Sequence, residues 1–136
     1  MTEGKNPLAT ALGVYAPTHF VVAVIDDPAK ATGALAALKA AGFADAAVEI
    51  CPGPQFLNNY RDFVAHRSLG ERVESLFPSE EQAAAEEYVG EAERGASFVT
   101  AHAPQRADRD RARDILAAHG GHGMRYYGDN AITDLA

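Results

Sequence analysis

The sequence predicts an α+β fold of ferredoxin-like βαββαβ plan, a four-stranded antiparallel sheet with helices on one face. Three observations carry this. The order strand, helix, glycine, strand occurs twice, once near each end of the chain. Laying Phe20-Val21-Val22-Ala23 over Phe98-Val99-Thr100-Ala101 places Gly42 opposite Gly120, so the spacing repeats as well as the order. Between the halves, over about 54–94, two extra helical patterns are inserted.

Residues 1–17 hold Gly4, Pro7, Gly13 and Pro17 without sustained periodicity and are expected to be a flexible arm that docks locally at most. The domain proper is then 18–136. Its first strand is His19 to Ile25, a β-branched run apolar on both faces, as suits a central strand. Asp27 is placed to cap the following helix, with Pro28 in its first turn, where a missing N–H costs nothing. Ala31, Ala34, Leu35, Leu38 and Ala41 form its apolar stripe; Gly42 closes it, and Phe43 folds back on the last turn. Ala46 to Cys51 reads as a second strand that alternates at Val48, Glu49 and Ile50.

Within the insertion, Pro52-Gly53-Pro54 forces a turn, and Phe56, Tyr60, Phe63, Val64 and Arg67 lie at helical spacing. Gly70 and Pro78 punctuate it, and Ser79-Glu80-Glu81-Gln82 is a capping box opening a second helix that ends at Gly95. The helices are expected to extend the helical layer or to grip a partner subunit. Ala96 to Ala103 is the third strand, about Asp108 to His119 a charged helix with Ala112, Ile115, Leu116 and His119 on one stripe, and Gly123 to Tyr127 the last strand.

The strand–Asp26-Asp27-Pro28–helix–Gly42-Phe43 opening resembles the general stress protein domain of the YflT type. So do the middle helix running through Tyr88 into Arg94-Gly95 and an apolar strand, and the ending Tyr126-Tyr127-Gly128-Asp129-Asn130-Ala131-Ile132-Thr133-Asp134-Leu135. The likeness spans residues 19–135 in order. It implies a small, bacterial, cytoplasmic, stress-associated protein and brings no catalytic residues with it.

Composition narrows the classes. With 19 acidic against 12 basic residues among 136, a formal net charge of −7 disfavours nucleic acid as the main partner. At 47% hydrophobic the chain has enough apolar content for a core, yet no window approaches the ~18 consecutive apolar residues of a membrane span. No basic region followed by an apolar block marks a secretory signal, and the single cysteine, Cys51, suits a reducing cytoplasm.

Strand parity supplies the candidate site. If Ala23 and Ala101 lie under the helices, then Phe20, Val22, Val24, Phe98, Thr100 and His102 lie on the other, open face, joined by Glu49, Arg125 and Tyr127. An apolar floor carrying an imidazole, a carboxylate, a guanidinium and a phenol suits a small polar ligand, so His102, Thr100, Phe98, Glu49, Arg125 and Tyr127 are the candidate ligand-binding residues. The plainer reading of the same face is a homodimer interface.

His19, His66, His102, His119 and His122 show no spacing that forces metal ligands together, and His119 near a helix end has a simple electrostatic role. Cys51 reads as a packing residue, and the run Arg106 to Asp114 as a solvated helix face with local ion pairs. No nucleophile elbow, phosphate loop or zinc-protease helix occurs. The expectation is therefore a non-catalytic, cytoplasmic, homodimeric stress-response protein without cofactor or metal. The alternative is an enzyme or haem or metal carrier of the dimeric α/β-barrel kind, with His102 as ligand or base and Arg125 or Tyr127 orienting substrate.

Overall fold

The computed structural model describes residue 12 and residues 18–68, 79–128 and 132–135. The described elements are β1 (Phe20–Ile25), α1 (Pro28–Ala40), β2 (Val48–Pro52), α2 (Gly53–Ser68), α3 (Ser79–Glu93), β3 (Ser97–His102), α4 (Arg106–Ala118), β4 (His122–Tyr127) and β5 (Ile132–Asp134). They form an α+β fold: one five-stranded sheet in the order β2-β3-β1-β4-β5, with every neighbouring pair antiparallel. β1 sits at the middle, and all six of its residues are buried, as a run apolar on both faces requires.

Local signals act where the sequence places them. Asp27 Oδ1 accepts from the Ala29 N–H at 2.9 Å, and Pro28 is the first helical residue of α1. α1 and α4 each close with a glycine at positive φ, Gly42 at 109° and Gly120 at 84°. The closing bonds also match: the Phe43 N–H donates to Leu38 O at 3.1 Å, and the Gly121 N–H to Leu116 O at 2.8 Å. Some boundaries differ from expectation. Ala46 and Ala47 belong to a 3-10 turn, Asp45–Ala47, leaving β2 to start at Val48. α4 starts two residues early, at Arg106, and α2 follows Pro52 with no intervening turn.

The sheet is covered on both faces. Val21, Ala23, Ile25, Val99, Ala101 and Met124 cluster with Ala31, Ala34 and Leu38 of α1 and Ala112 and Leu116 of α4. The small Ala23 and Ala101 do lie on this side, as parity predicts. Charged residues help to fasten the layer. Arg111 donates to Ala41 O at 2.7 Å with its guanidinium 5.0 Å from the Phe43 ring, and Arg109 lies 5.2 Å over Tyr126.

On the opposite side Phe20, Val22, Val24, Cys51, Phe98 and Tyr127 cluster with Phe56 of α2 and with Ala84, Ala85, Tyr88 and Ala92 of α3. The open face expected from the sequence is thus filled by the inserted helices. The physical reason is direct. Phe20, Val22, Val24 and Phe98 are 0% exposed here, and removing each from water is worth ~1.5–3 kcal/mol. The insertion leaves β2 at Pro52 and returns to β3 at Ser97, so its helices are tethered beside the face they cover. The expected capping-box helix does begin at Ser79, and Gly95 lies just beyond its end with φ 98°.

One further expectation changes. A fifth strand, β5, pairs with β4 through Ile132↔Tyr127, Thr133↔Tyr126 and Asp134↔Arg125, so the sheet is not four-stranded. Leu12, inside the expected arm, is 2% exposed against the α2/α3 side of the core, a local docking of the kind the sequence reading allows. Gly4, Pro7, Gly13, Pro17, Gly70 and Pro78 and the side chains of Phe63, Val64, His66 and Arg67 lie outside the described residues.

Candidate functional site

The six sequence-selected residues do share one face. Glu49 pairs with Thr100, Thr100 with Val22, and Val22 with Arg125, forming one row across β2, β3, β1 and β4. The next row is His102, Phe20 and Tyr127, and Phe98 lies between Cys51 and Val24. Parity is therefore correct; convergence is not. Glu49 and Arg125 are separated by two strands, about 14 Å at the usual inter-strand spacing. One small ligand cannot bridge them across a floor that the inserted helices already cover.

Several of these residues are instead engaged locally. Phe98 is buried with the Phe56 ring 4.8 Å and the Tyr88 ring 5.0 Å away. Thr100 is 3% exposed, and Tyr127 is buried with its ring stacked on Phe20 at 4.8 Å. Glu49 is half-buried on edge strand β2. His102 is half-buried at the end of β3, and its Nδ1 is buried without a hydrogen-bond partner among the described residues.

Arg125 is the most engaged of the six. Its Nη2 donates to Glu87 Oε1 of α3 at 2.6 Å, its Nε lies 3.5 Å from Asp134 Oδ1 of β5, and its guanidinium is 5.2 Å from the Tyr88 ring centre. Burial acts to lower the Arg125 pKa, but hydrogen bonding to Glu87 and Tyr88 outweighs it, and the net shift is upward. Tyr88 is fully buried and donates from its hydroxyl to Gly123 O at 2.8 Å. Burial pushes its pKa up to about 12 against the opposing effect of Arg125. Arg125 and Asp134 also line a cleft of about 280 Å³ with Ala83, Ala84 and Ile132. This arrangement fastens α3 to the β4–β5 edge of the sheet.

The dimeric-barrel alternative needs two sheets to meet across that face. Here α2 and α3 occupy it, so the barrel version of the His102 site does not fit this chain. His119 behaves as a structural residue, its Nδ1 2.9 Å from Ile115 O. Cys51 is buried, and burial together with the Glu49 charge pushes its pKa up to about 11, as fits a packing thiol. The 106–114 run forms the expected ion pairs, Arg111–Asp108 at 2.9 Å and Arg113–Asp114 at 3.2 Å among them.

One constellation escapes sequence reasoning. Asp26 at the end of β1, Glu91 of α3 and His122 at the start of β4 bring their ligating atoms within 4.8 Å of one another. Continued alternation from Met124 and Tyr126, both on the α1/α4 side, would send His122 to that side too. A register shift between Val22 and Val24 changes this: Val22 pairs with Arg125, but Val24 pairs with His122, one residue further than alternation allows. Gly123, at φ 56°, occupies the bulge in the left-handed region that glycine adopts without steric cost. The shift aligns His122 with Val24 and turns it toward α3. The His119-Gly120-Gly121-His122-Gly123 string is the sequence trace of this feature, although it does not reveal where His122 points.

No protein-family model, curated protein or solved structure matches this chain.

Proposed function

We propose that this chain is a non-catalytic, cytoplasmic stress-response protein that works as a homo-oligomer, built on a ferredoxin-like βαββαβ core. Support for that core is the strand order β2-β3-β1-β4 with α1 and α4 on one side, to which β5 and the α2/α3 pair are additions. The observation that carries the non-catalytic reading is how the candidate face is used. Phe98, Thr100 and Tyr127 are buried in it, and Arg125 is tied to Glu87 of α3 and Asp134 of β5, so the face is taken up by packing within the fold. Leu57, Tyr60, Val89 and Ile132 are half-buried apolar residues packed against that cluster, and a second copy would cover what they leave exposed.

Sedimentation of purified protein at micromolar concentration tests the oligomer. A species of twice 14.4 kDa is expected, and a clean 14.4 kDa species would remove homo-oligomerisation from the proposal. Protein abundance followed through heat, cold and salt shock in the native host tests the stress role. A rise is expected, and a flat profile under all three would overturn it.

A further inference from the structure

We propose that Asp26, Glu91 and His122 form a site for a first-row divalent cation of the zinc class, with water completing its coordination. The three residues come from separate parts of the fold, the residue just after β1, α3 and the start of β4, so no single helix or loop accounts for their meeting. His122 Nε2 already lies 3.0 Å from Asp26 Oδ1. All three ligating atoms fall within 4.8 Å of one another, whereas ligands on a tetrahedral zinc with ~2.0–2.1 Å bonds sit about 3.3 Å apart. Closing the remaining distance needs side-chain adjustment; the Oε2 of Glu91 lies 3.5 Å from Nη2 of Arg94, an exposed and therefore yielding partner.

The donor set selects the class of ion. One imidazole nitrogen suits zinc and its neighbours, while two carboxylates add oxygen ligands and cancel a dication's charge. Calcium, which takes six to eight oxygens, is poorly served by a nitrogen and so few carboxylates. Side-chain exposure grades from 44% for His122 and 76% for Asp26 to 18% for Glu91, leaving a solvent side for water ligands. The β-bulge is the structural argument. Without it, alternation sends His122 to the α1/α4 side, away from Glu91. A glycine at positive φ inside a strand weakens the strand, and bulges recur where a side chain has to be re-aimed. The competing description is an exposed Asp26–His122 ion pair alone.

Titration of the full chain with Zn²⁺ alone, followed by isothermal calorimetry and by the ¹⁵N resonance of His122 Nε2, separates the two. Saturable uptake of one equivalent is expected, with the His122 Nε2 signal shifting in step. His122→Ala and the isosteric Glu91→Gln and Asp26→Asn should each weaken uptake by at least about tenfold. All three positions are outside the buried core, and melting without metal establishes that each variant folds. His119→Ala, which removes a histidine away from the cluster, should leave uptake unchanged. Absence of saturable uptake, or equal uptake by wild type and His122→Ala, would overturn the site. An unmoved His122 resonance during uptake would do the same.

Discussion

Replacing Phe98 with alanine distinguishes a sheet closed on both faces from one left bare. In the fold described, Phe98 is 0% exposed on β3, with aromatic rings from α2 and α3 at 4.8 and 5.0 Å. Truncating a fully buried phenylalanine costs about 3–5 kcal/mol, through lost transfer energy and the cavity left behind. Unfolding entropy of about 2.1 cal/mol/K per residue gives roughly 0.29 kcal/mol/K for this chain, so the melting temperature should fall by ~10–17 °C. On a bare face the same change would remove an exposed side chain, worth about 1 kcal/mol in strand preference, or ~3–4 °C. Thermal unfolding followed by far-UV circular dichroism, with urea denaturation as a second probe, measures the difference. A fall below about 4 °C with an unchanged urea slope would mean that the inserted helices do not enclose the ring.

Tyr88→Phe removes the hydroxyl that donates to Gly123 O and should lower stability by ~1–2 kcal/mol, read as a melting shift of a few degrees. Gly53→Ala should destabilise although alanine favours helices. Its Cβ would lie 2.5 Å from Ala96 O and 2.9 Å from Ala92 O, so ~1–3 kcal/mol of strain is expected, and a rise in melting temperature would refute the close approach. Cys51 has a folded pKa raised to about 11, above its unfolded value, so the native state holds the proton more tightly. Its contribution to stability is present below pH ~8.5–9 and is lost as pH rises toward 11. Labelling by a thiol reagent at pH 8 should accordingly be slow in the native protein and fast in denaturant; equal rates would contradict the burial.

Much of the fold was legible because its signals are local. The Asp27-Pro28 cap, the Gly42 and Gly120 stops and the two-faced apolar run of β1 each depend on residues within one turn or one strand. The common face of the six candidate residues was legible for the same reason, since parity is a local property. What covers that face was not. Among its described side chains α3 buries Ala84, Ala85 and Ala92 with Tyr88 as the one large residue, so this apolar side is spelled mostly by small residues and advertises no docking partner. β5 is three residues long, too short to show alternation, although it supplies Asp134 to Arg125. The Asp26–Glu91–His122 group depends on a register shift between strands, which no pattern along one segment encodes.

α2 and α3 close the second face of the sheet. Proton–proton Overhauser contacts between aromatic rings in the labelled protein test it most directly, because they report through-space proximity below about 5 Å without substitution. Cross-peaks from the Phe98 ring to the Phe56 and Tyr88 rings are predicted, at ring separations of 4.8 and 5.0 Å. A Phe98 ring with intra-sheet contacts alone, accessible to a soluble paramagnetic probe, would contradict the account.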